Sequence, residues 1–326
     1  MKWAVRAESW PIRGGFRIAR GARDVAEVVV VELHDDGLVG RGECVPYGRY
    51  GESIDSVRLE LQAGCAAMKR GARTRALAMR AGAARNALDC ALWDLEAKRQ
   101  GKPVWELAGL GMPPCATHTM RTISVDSVEK MQEAAATLRD ARVLKIKVDG
   151  GRDLERIAAV HEAAPGALLV VDANEAWSTD QLVAWLPSLP ALGVAVLEQP
   201  LAAEDDAALE GLERSVPICA DESFHDRGSF SHVERRYDMV NVKLDKAGGL
   251  TEALHCTSEA RRLGLRVMVG CMVSTSLAIE PALLLTPSAE YVDLDGPLLL
   301  ETDRAGALHE EENDLLRPSP SIWGTA

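Results

Sequence analysis

The sequence is short of the features that mark membrane, secreted and nucleic-acid-binding proteins. No apolar run approaches the length of a bilayer span, and charged residues at the start of the chain break up any signal core. No basic stripe offsets the net charge of −12, which argues against non-specific nucleic-acid binding. The cysteines form no Cys-x-x-Cys pair, so we expect reduced thiols. These absences predict a cytoplasmic protein with neither a nucleic-acid nor a membrane partner.

What is present is enough for a large globular core. The 326 residues are 47% hydrophobic and 26% charged, which allows one large domain or two unequal ones. Early in the chain, Glu27 to Leu33 and Val39 to Cys44 are predicted to form a hairpin around the turn Asp35-Asp36-Gly37. Residues 54 to 100 have a helical pattern, with an apolar stripe that we interpret as core. The stripe consists of Ala84, Leu88, Ala91 and Leu95.

From about residue 115, short apolar strands alternate with segments that can form helices, a pattern typical of a parallel sheet. Seven strands recur at regular intervals, and Thr119 to Ile123 supplies a first one, which makes eight and predicts a closed (β/α) barrel. An open doubly wound sheet is the alternative, but no Gly-x-Gly-x-x-Gly follows a strand. The residues at or near the strands' carboxyl ends are Lys147, Asp172, Glu198, Asp221, Lys243, Cys271 and Asp293.

Three of these residues predict a metal site. Asp172, Glu198 and Asp221 end the third, fourth and fifth strands, so their side chains are expected to form one arc at the barrel mouth. Unneutralised carboxylates in such an arc repel one another, and a hard divalent cation removes that cost. Each one alone could instead cap the following helix. Three in consecutive units favour a site for Mg²⁺, with Mn²⁺ as a substitute.

Two pairs of polar residues predict acid–base chemistry. Lys145 and Lys147 share one face of the second strand, and Asn241 and Lys243 share one face of the sixth. Strands two and six lie opposite each other in an eight-stranded barrel. We therefore expect one lysine to remove a substrate α-proton, giving a metal-stabilised enediolate, and the other to return a proton on the opposite face. A salt bridge to a carboxylate is the alternative, above all for Lys145, and Lys246 lies past the strand end and is interpreted as secondary.

A pair of carboxylates completes the predicted site. Asp293 and Asp295, in Asp293-Leu294-Asp295, lie at the eighth strand, across the barrel from the metal arc. Beyond reach of the metal, they indicate a cationic group on the substrate. Their alternative role is a helix N-cap or a turn.

In this order and spacing, the motifs resemble those of the enolase superfamily, and within it the muconate-lactonizing-enzyme subgroup. The matching motifs are Lys-x-Lys, Asp-Ala-Asn, Glu-Gln-Pro, Ala-Asp-Glu-Ser and Asn-x-Lys-Leu-x-Lys-x-Gly-Gly. The resemblance covers nearly the whole chain and implies a (β/α)7β TIM-like barrel over residues 116–300. It also implies an α+β capping domain over residues 1–115, to which a C-terminal segment, 301–326, returns.

The element Asp293-x-Asp295 before Gly296-Pro297 resembles that of the dipeptide epimerases, in which it holds the substrate's α-ammonium. The resemblance implies a cytoplasmic, Mg²⁺-dependent isomerase for dipeptides such as L-Ala-D/L-Glu released from murein, and we expect a homo-oligomer. The implied acid–base residues are Lys147 and Lys243, with Lys145 beside them. The implied metal ligands are Asp172, Glu198 and Asp221.

The second residue of the dipeptide is predicted to meet two capping segments, Gly14 to Asp24 and Tyr47 to Ser53. Arg20, Arg23 or Arg49 could bind a glutamate side chain there, although each could equally be a solvated loop charge. Muconate cycloisomerisation or o-succinylbenzoate synthesis on the same scaffold is the alternative reaction, and its substrates carry no α-ammonium. A Schiff-base aldolase would not need three consecutive carboxylates, and nothing in the sequence favours an inert binding protein.

Overall fold

The structure, a computed structural model, describes residues 1–68, 76–311, 314–319 and 321–325. An antiparallel sheet with helices packed on it comes first along the chain, and a parallel barrel follows. Every helix in the described ranges is too short or too polar to cross a membrane. Part of the predicted helical region, residues 69–75, lies outside the described residues.

The N-terminal sheet has three antiparallel strands, β1 (Lys2–Ile18), β2 (Gly21–Asp35) and β3 (Leu38–Cys44). The predicted hairpin between β2 and β3 is confirmed. At its turn, Asp36 and Gly37 have φ values of 47° and 81°, a left-handed geometry that suits two-residue turns between strands. Strand β1 was not predicted, because most of its residues are exposed and its apolar alternation is weak.

Two helices, α1 (Ile54–Ala67) and α2 (Ala83–Gln100), pack on this sheet. Helix α2 ends at Gly101, whose φ of 62° is typical of a helix C-terminus. The sheet approaches α2 closely at Gly42, where a Cβ atom would lie 2.0 Å from the Ala87 carbonyl oxygen. The predicted core stripe is confirmed as buried: Ala84, Leu88, Ala91 and Leu95.

The barrel is the larger part of the molecule, and its eight-stranded parallel sheet confirms the predicted (β/α)7β fold. The strands lie side by side in chain order, and the Met120 amide closes the ring by donating to the Val292 carbonyl oxygen at 2.8 Å. The strands are β5 (Arg121–Ile123), β6 (Val143–Lys147), β7 (Leu168–Asp172), β8 (Val194–Glu198), β9 (Ile218–Ala220), β10 (Met239–Lys243), β11 (Arg266–Gly270) and β12 (Tyr291–Asp293).

Helices cover most of the barrel's outer surface, and the 3₁₀ turn Asp206–Leu209 makes the connection from β8 to β9. The short helix α3 (Val104–Leu107) links the cap to the barrel. The other helices are α4 (Val128–Thr137), α5 (Asp153–Ala163), α6 (Thr179–Trp185), α7 (Phe230–Arg236), α8 (Leu244–Ala247), α9 (Leu250–Arg262) and α10 (Ser276–Leu283).

The amino-terminal end of the barrel interior is filled by apolar side chains. Each such side chain contributes about 1.5–3 kcal/mol when it is fully buried. This layer fills the barrel interior below the carboxylates and lysines of the mouth. The layer consists of Met120, Val170, Val196, Cys219, Met239 and Met268.

The last residues of the chain contact both parts of the molecule. Strands β13 (His309–Glu311) and β14 (Leu315–Arg317) extend β4 (Thr117–His118) into a small antiparallel sheet. Further on, the Trp323 indole donates to the Cys90 carbonyl oxygen of helix α2 at 3.0 Å. The division into residues 1–115, 116–300 and 301–326 stays a prediction.

Candidate active site

The three predicted metal ligands come together at the barrel mouth. Asp172 and Glu198 are the last residues of β7 and β8 and are paired in register, and Asp221 follows β9 directly. One oxygen from each carboxylate lies within 4.8 Å of the others, and all three side chains are buried. This all-oxygen set with three negative charges fits a hard divalent cation such as Mg²⁺.

Gln199 holds two of these strand ends in place. Its φ of 37° is a left-handed conformation that is costly for a residue other than glycine and that clusters at active sites and other functional regions. Its side-chain oxygen accepts hydrogen bonds from the amides of Asp221 and Ser223 at 2.9 and 3.0 Å. Its side-chain nitrogen donates to the Tyr237 hydroxyl at 2.9 Å. Sequence reasoning missed this role, although Gln199 lies within the Glu-Gln-Pro motif.

Lys145 and Lys147 point into the barrel from β6, as predicted. Lys145 Nζ lies 2.7 Å from both Asp293 Oδ2 and Glu198 Oε2, and 3.2 Å from Asp172 Oδ2. Burial alone would lower the pKa of Lys145, but these carboxylates raise it well above its ordinary value. Lys145 is therefore a fixed cation at the centre of the site. Lys147 donates to Asp172 Oδ2 at 2.6 Å.

The sixth strand supplies the opposing lysine. Lys243 donates to Asp221 Oδ2 at 2.7 Å, and Asn241 Nδ2 donates to Glu198 Oε1 at 2.8 Å. Burial alone would lower the pKa of Lys243, but the charge of Asp221, together with those of Glu198 and Glu222, raises it above its ordinary value. Strands β6 and β10 are four positions apart in the eight-stranded sheet. Lys147 and Lys243 thus line one cavity of about 330 Å³ from opposite sides.

Asp293 and Asp295 line a third side of this cavity. Asp295 begins a 3₁₀ turn, but its side chain caps no helix and instead accepts the Thr122 amide at 2.7 Å through Oδ2. Burial, and then the nearby charge of Asp293, raise the pKa of Asp295 to about 6. The Asp295 side chain therefore makes no cap hydrogen bond to the turn that it begins, and Asp293 and Asp295 both face the cavity.

The cap segments close the cavity from above. The predicted loop from Gly14 to Asp24 is the ordered tip of the β1–β2 hairpin, and it contributes Phe16, Ile18, Arg20 and Arg23 to the lining. The second segment contributes Tyr47, Arg49 and Tyr50. Sequence reasoning missed the aromatic residues of these segments, which carry no local signal of a site. The Phe16 ring centroid lies 5.8 Å from Lys147 Nζ.

The three candidate arginines have different surroundings. Arg20 donates to the Asn174 carbonyl oxygen at 2.7 Å, to Glu175 at 3.0 Å and to buried Glu222. Arg49 makes a two-point contact with Glu175 at 2.8 and 2.9 Å.

Arg23 differs from these two. Its guanidinium lies 5.5 Å from the Tyr47 ring centroid, and no carboxylate among the described residues pairs with it. The structure therefore leaves one cavity-lining arginine, of the three predicted, without a carboxylate partner in the described ranges.

Comparison with known families matches both parts of the chain. Residues 1–109 match the model of the mandelate racemase/muconate lactonizing enzyme N-terminal domain, and residues 127–311 match the model described as enolase C-terminal domain-like. A relative from Escherichia coli (strain K12), L-Ala-D/L-Glu epimerase, is 47% identical over 95% of this chain and 98% of its own.

Solved structures extend the similarity to the fold. An enolase family member from Agrobacterium tumefaciens with homology to dipeptide epimerases, with bound sodium and L-Ala-L-Glu, has a TM-score of 0.95 and 44% identity, over 99% of both chains. The dipeptide epimerase of Cytophaga hutchinsonii, complexed with Mg and D-Ala-L-Val, has a TM-score of 0.92 and 26% identity, over 99% of this chain and 94% of its own.

Proposed function

The chain belongs to the mandelate racemase/muconate lactonizing enzyme family of isomerases, and on that premise we propose that it is a Mg²⁺-dependent dipeptide epimerase. The observation that carries the proposal is the placement of Lys147 and Lys243 on opposite sides of one cavity, with the carboxyl groups of Asp293 and Asp295 on a third side. A dipeptide offers a carboxylate, an acidic α-carbon and an ammonium to these three features.

The two lysines act on the α-carbon next to the substrate carboxylate. The neutral amine of one accepts the α-proton, and the electron pair of the broken C–H bond passes into the carboxylate group. The ammonium of the other donates a proton to the opposite face of the same carbon, which inverts the centre. One turnover exchanges the protonation states of Lys147 and Lys243, so the same pair serves both directions of the reaction.

Two positive charges, the metal ion and the Lys145 ammonium, would stabilise negative charge at the site. Asp172, Glu198 and Asp221 would hold Mg²⁺, or Mn²⁺ in its place, and the bound ion would supply positive charge for the electrons that collect on the substrate carboxylate. Lys145 stays charged beside these ligands. Its contacts with three carboxylates support a structural and electrostatic role in preference to proton transfer.

The carboxyl pair Asp293 and Asp295 favours a dipeptide over the alternative substrates. An α-ammonium placed there neutralises charge that is otherwise buried at a cost, which the raised pKa of Asp295 reflects. The substrates of muconate cycloisomerisation and o-succinylbenzoate synthesis have no such group. They would leave the two carboxyl groups facing a neutral or anionic surface.

Arg23 is our choice for the residue that binds an anionic second side chain. Arg20 and Arg49 are already neutralised by carboxylates, and their contacts fix the cap segments against the barrel. Arg23 lines the cavity beside the Tyr47 ring, and no carboxylate in the described ranges pairs with it, so its charge is available to a glutamate side chain. The expected substrate class is therefore L-Ala-D/L-Glu and similar acidic dipeptides.

The test is exchange of the substrate α-proton in deuterated water, followed by proton NMR with Mg²⁺ and L-Ala-L-Glu. We expect exchange together with formation of the D-Glu epimer, and no exchange across a broad dipeptide library would contradict the proposal. Arg23→Gln is expected to lower kcat/KM for L-Ala-L-Glu by about tenfold or more while leaving L-Ala-L-Leu little changed. Arg17→Gln, on the same hairpin but paired with Asp126, is the matched control.

A further inference from the structure

Lys246 is a fully buried lysine that the proton-transfer scheme does not use. It lies in the short helix α8, which begins directly after β10, and its side chain is 1% exposed. Its Nζ donates to Asp221 Oδ1 and to the Asp221 carbonyl oxygen, both at 2.5 Å, and to the Asn241 carbonyl oxygen at 3.0 Å. These contacts use all three ammonium protons.

Asp221 is thus held by two lysines with different surroundings. Lys243 donates to Oδ2 and lines the substrate cavity. Lys246 donates to Oδ1 and is absent from that cavity's lining among the described residues, so it does not reach the substrate. Two of its three bonds go to backbone carbonyl oxygens, one directly after β9 and one in the middle of β10. The barrel backbone itself therefore sets the position of Lys246, which does not depend on substrate or proton transfer.

We propose that Lys246 is a positioning residue that holds the Asp221 carboxylate in place for the metal while Lys243 is released for proton transfer. The proposal rests on the proposed function, because it assumes that Asp221 is a metal ligand and that Lys243 moves protons. A carboxylate bonded only to Lys243 would lose its orientation whenever that lysine turned toward the substrate. The bond from Lys246 to Oδ1 persists through the cycle and leaves Oδ2 for the metal.

The two possible roles of Lys246, orienting Asp221 and simply adding positive charge, predict opposite effects of its removal on Mg²⁺ affinity. Lys246 has the same sign of charge as Mg²⁺, so an effect through charge alone means that its removal tightens Mg²⁺ binding. If its role is to orient Asp221, its removal weakens Mg²⁺ binding, since groups that orient metal ligands typically change affinity by about tenfold to a hundredfold.

The experiment is calorimetric titration of the folded protein with Mg²⁺ alone, without dipeptide. Lys246→Met removes both charge and donors at similar shape, and we expect Mg²⁺ to bind about tenfold to a hundredfold more weakly. The Mg²⁺ concentration for half-maximal α-proton exchange should rise by the same factor, whereas exchange at saturating Mg²⁺ should return to within about threefold of wild type. Equal or tighter Mg²⁺ binding would overturn the proposal.

Two further variants keep the test decisive. Lys246→Arg retains charge but replaces the three-point ammonium with a planar fork, so positioning predicts weaker Mg²⁺ binding and charge alone predicts no change. It serves also if the Met variant does not fold, as judged by thermal melting. Lys130→Met, at an exposed lysine of α4, is the control for loss of a positive charge.

Failure of this proposal is distinct from failure of the proposed function. If the wild type binds Mg²⁺ and epimerises dipeptides but Lys246→Met binds Mg²⁺ normally, only the role of Lys246 is wrong. If the wild type binds Mg²⁺ but exchanges no dipeptide proton, the proposed reaction is wrong, while the calorimetric comparison still tests the role of Lys246 toward Asp221.

Discussion

The two ends of the barrel are built from the same strands and have opposite chemistry. Along β7, Val170 lies in the apolar layer at the amino-terminal end, and Asp172, two residues later, is a buried carboxylate at the mouth. Along β10, Met239 lies in the apolar layer and Lys243 at the mouth. Because alternate residues of a strand face the same side, the inward face changes from apolar to charged within about 7–14 Å.

Within each strand, the residues that stabilise the fold are therefore different from the residues that line the candidate site. The apolar layer gains free energy from burial, about 1.5–3 kcal/mol for each large side chain. The mouth buries lysines and carboxylates, whose desolvation cost is offset by their mutual pairing and by hydrogen bonds from neutral donors such as Asn241. The layer in which a substitution falls should therefore decide whether it changes the free energy of unfolding or the catalysed reaction.

The largest expected effect is at the mouth. Lys147→Met and Lys243→Met should each lower epimerisation by about 10²–10⁴-fold, because each removes one of the two groups that we propose transfer protons. Lys147→Met should still fold, since Lys145 remains 3.2 Å from Asp172. The measurement is α-proton exchange in deuterated water, starting separately from L-Ala-L-Glu and L-Ala-D-Glu.

The two variants should differ in which epimer they exchange. Each retains the lysine that faces one side of the α-carbon, so each should exchange the proton of one epimer and not of the other. Exchange of both epimers by both variants would contradict the two-base arrangement. Lys130→Met, far from the mouth, should behave as wild type.

The sequence predicted those parts of the barrel mouth that depend on local periodicity. Strand alternation put Lys145 and Lys147 on one face, and the common direction of parallel strands brought Asp172, Glu198 and Asp221 together. These inferences need only the spacing of residues within a strand and between successive strands.

The parts that were missed depend on contacts between distant segments. The contact of Arg20 with Glu222 joins residues 202 positions apart, and no local pattern indicates it. The sequence places Lys246 beyond the end of the strand, but the short helix α8 turns its side chain back to Asp221. Gln199 was read as part of a motif, whereas its hydrogen bonds to neighbouring strand ends could be seen only in the fold.

The second effect is expected at the apolar end. Met268→Ala should lower the free energy of unfolding by about 2–5 kcal/mol, because it leaves a cavity in a fully buried layer. Urea denaturation measures the loss. Turnover and Mg²⁺ affinity at 25 °C should stay within about twofold of wild type, since the layer does not reach the mouth.

Two control substitutions separate the effect of a buried cavity from that of losing a methionine. Met268→Leu conserves volume and should cost less than about 1.5 kcal/mol. Met112, which is 57% exposed, should tolerate alanine with little change in stability. A tenfold fall in turnover for Met268→Ala while the protein remains folded would show that the two layers are coupled. The apolar layer would then affect the reaction as well as stability.

The smallest expected effect is on the free energy of unfolding, which should fall when the buried Asp295 carboxyl group at the mouth ionises. Burial and the charge of Asp293 raise the pKa of Asp295 to about 6, above its ordinary value near 4. When folding raises the pKa of a carboxyl group, the free energy of unfolding of the protein falls as the pH rises from the group's unfolded pKa through its folded pKa. Asn cannot ionise, so Asp295→Asn should exceed wild type in stability by about 1–3 kcal/mol at pH 8 and match it near pH 4.

The same substitution should also raise KM for a dipeptide, because it removes a charge that we propose binds the substrate ammonium. Thermal or urea unfolding across pH 4–8 tests the stability difference, and Asp140→Asn, at an exposed aspartate, should show none. A variant less stable than wild type at pH 8 would mean that ionised Asp295 stabilises the free protein. Buried charge at the mouth would then contribute to folding as the apolar layer does, and the division between the two ends would hold for turnover but not for stability.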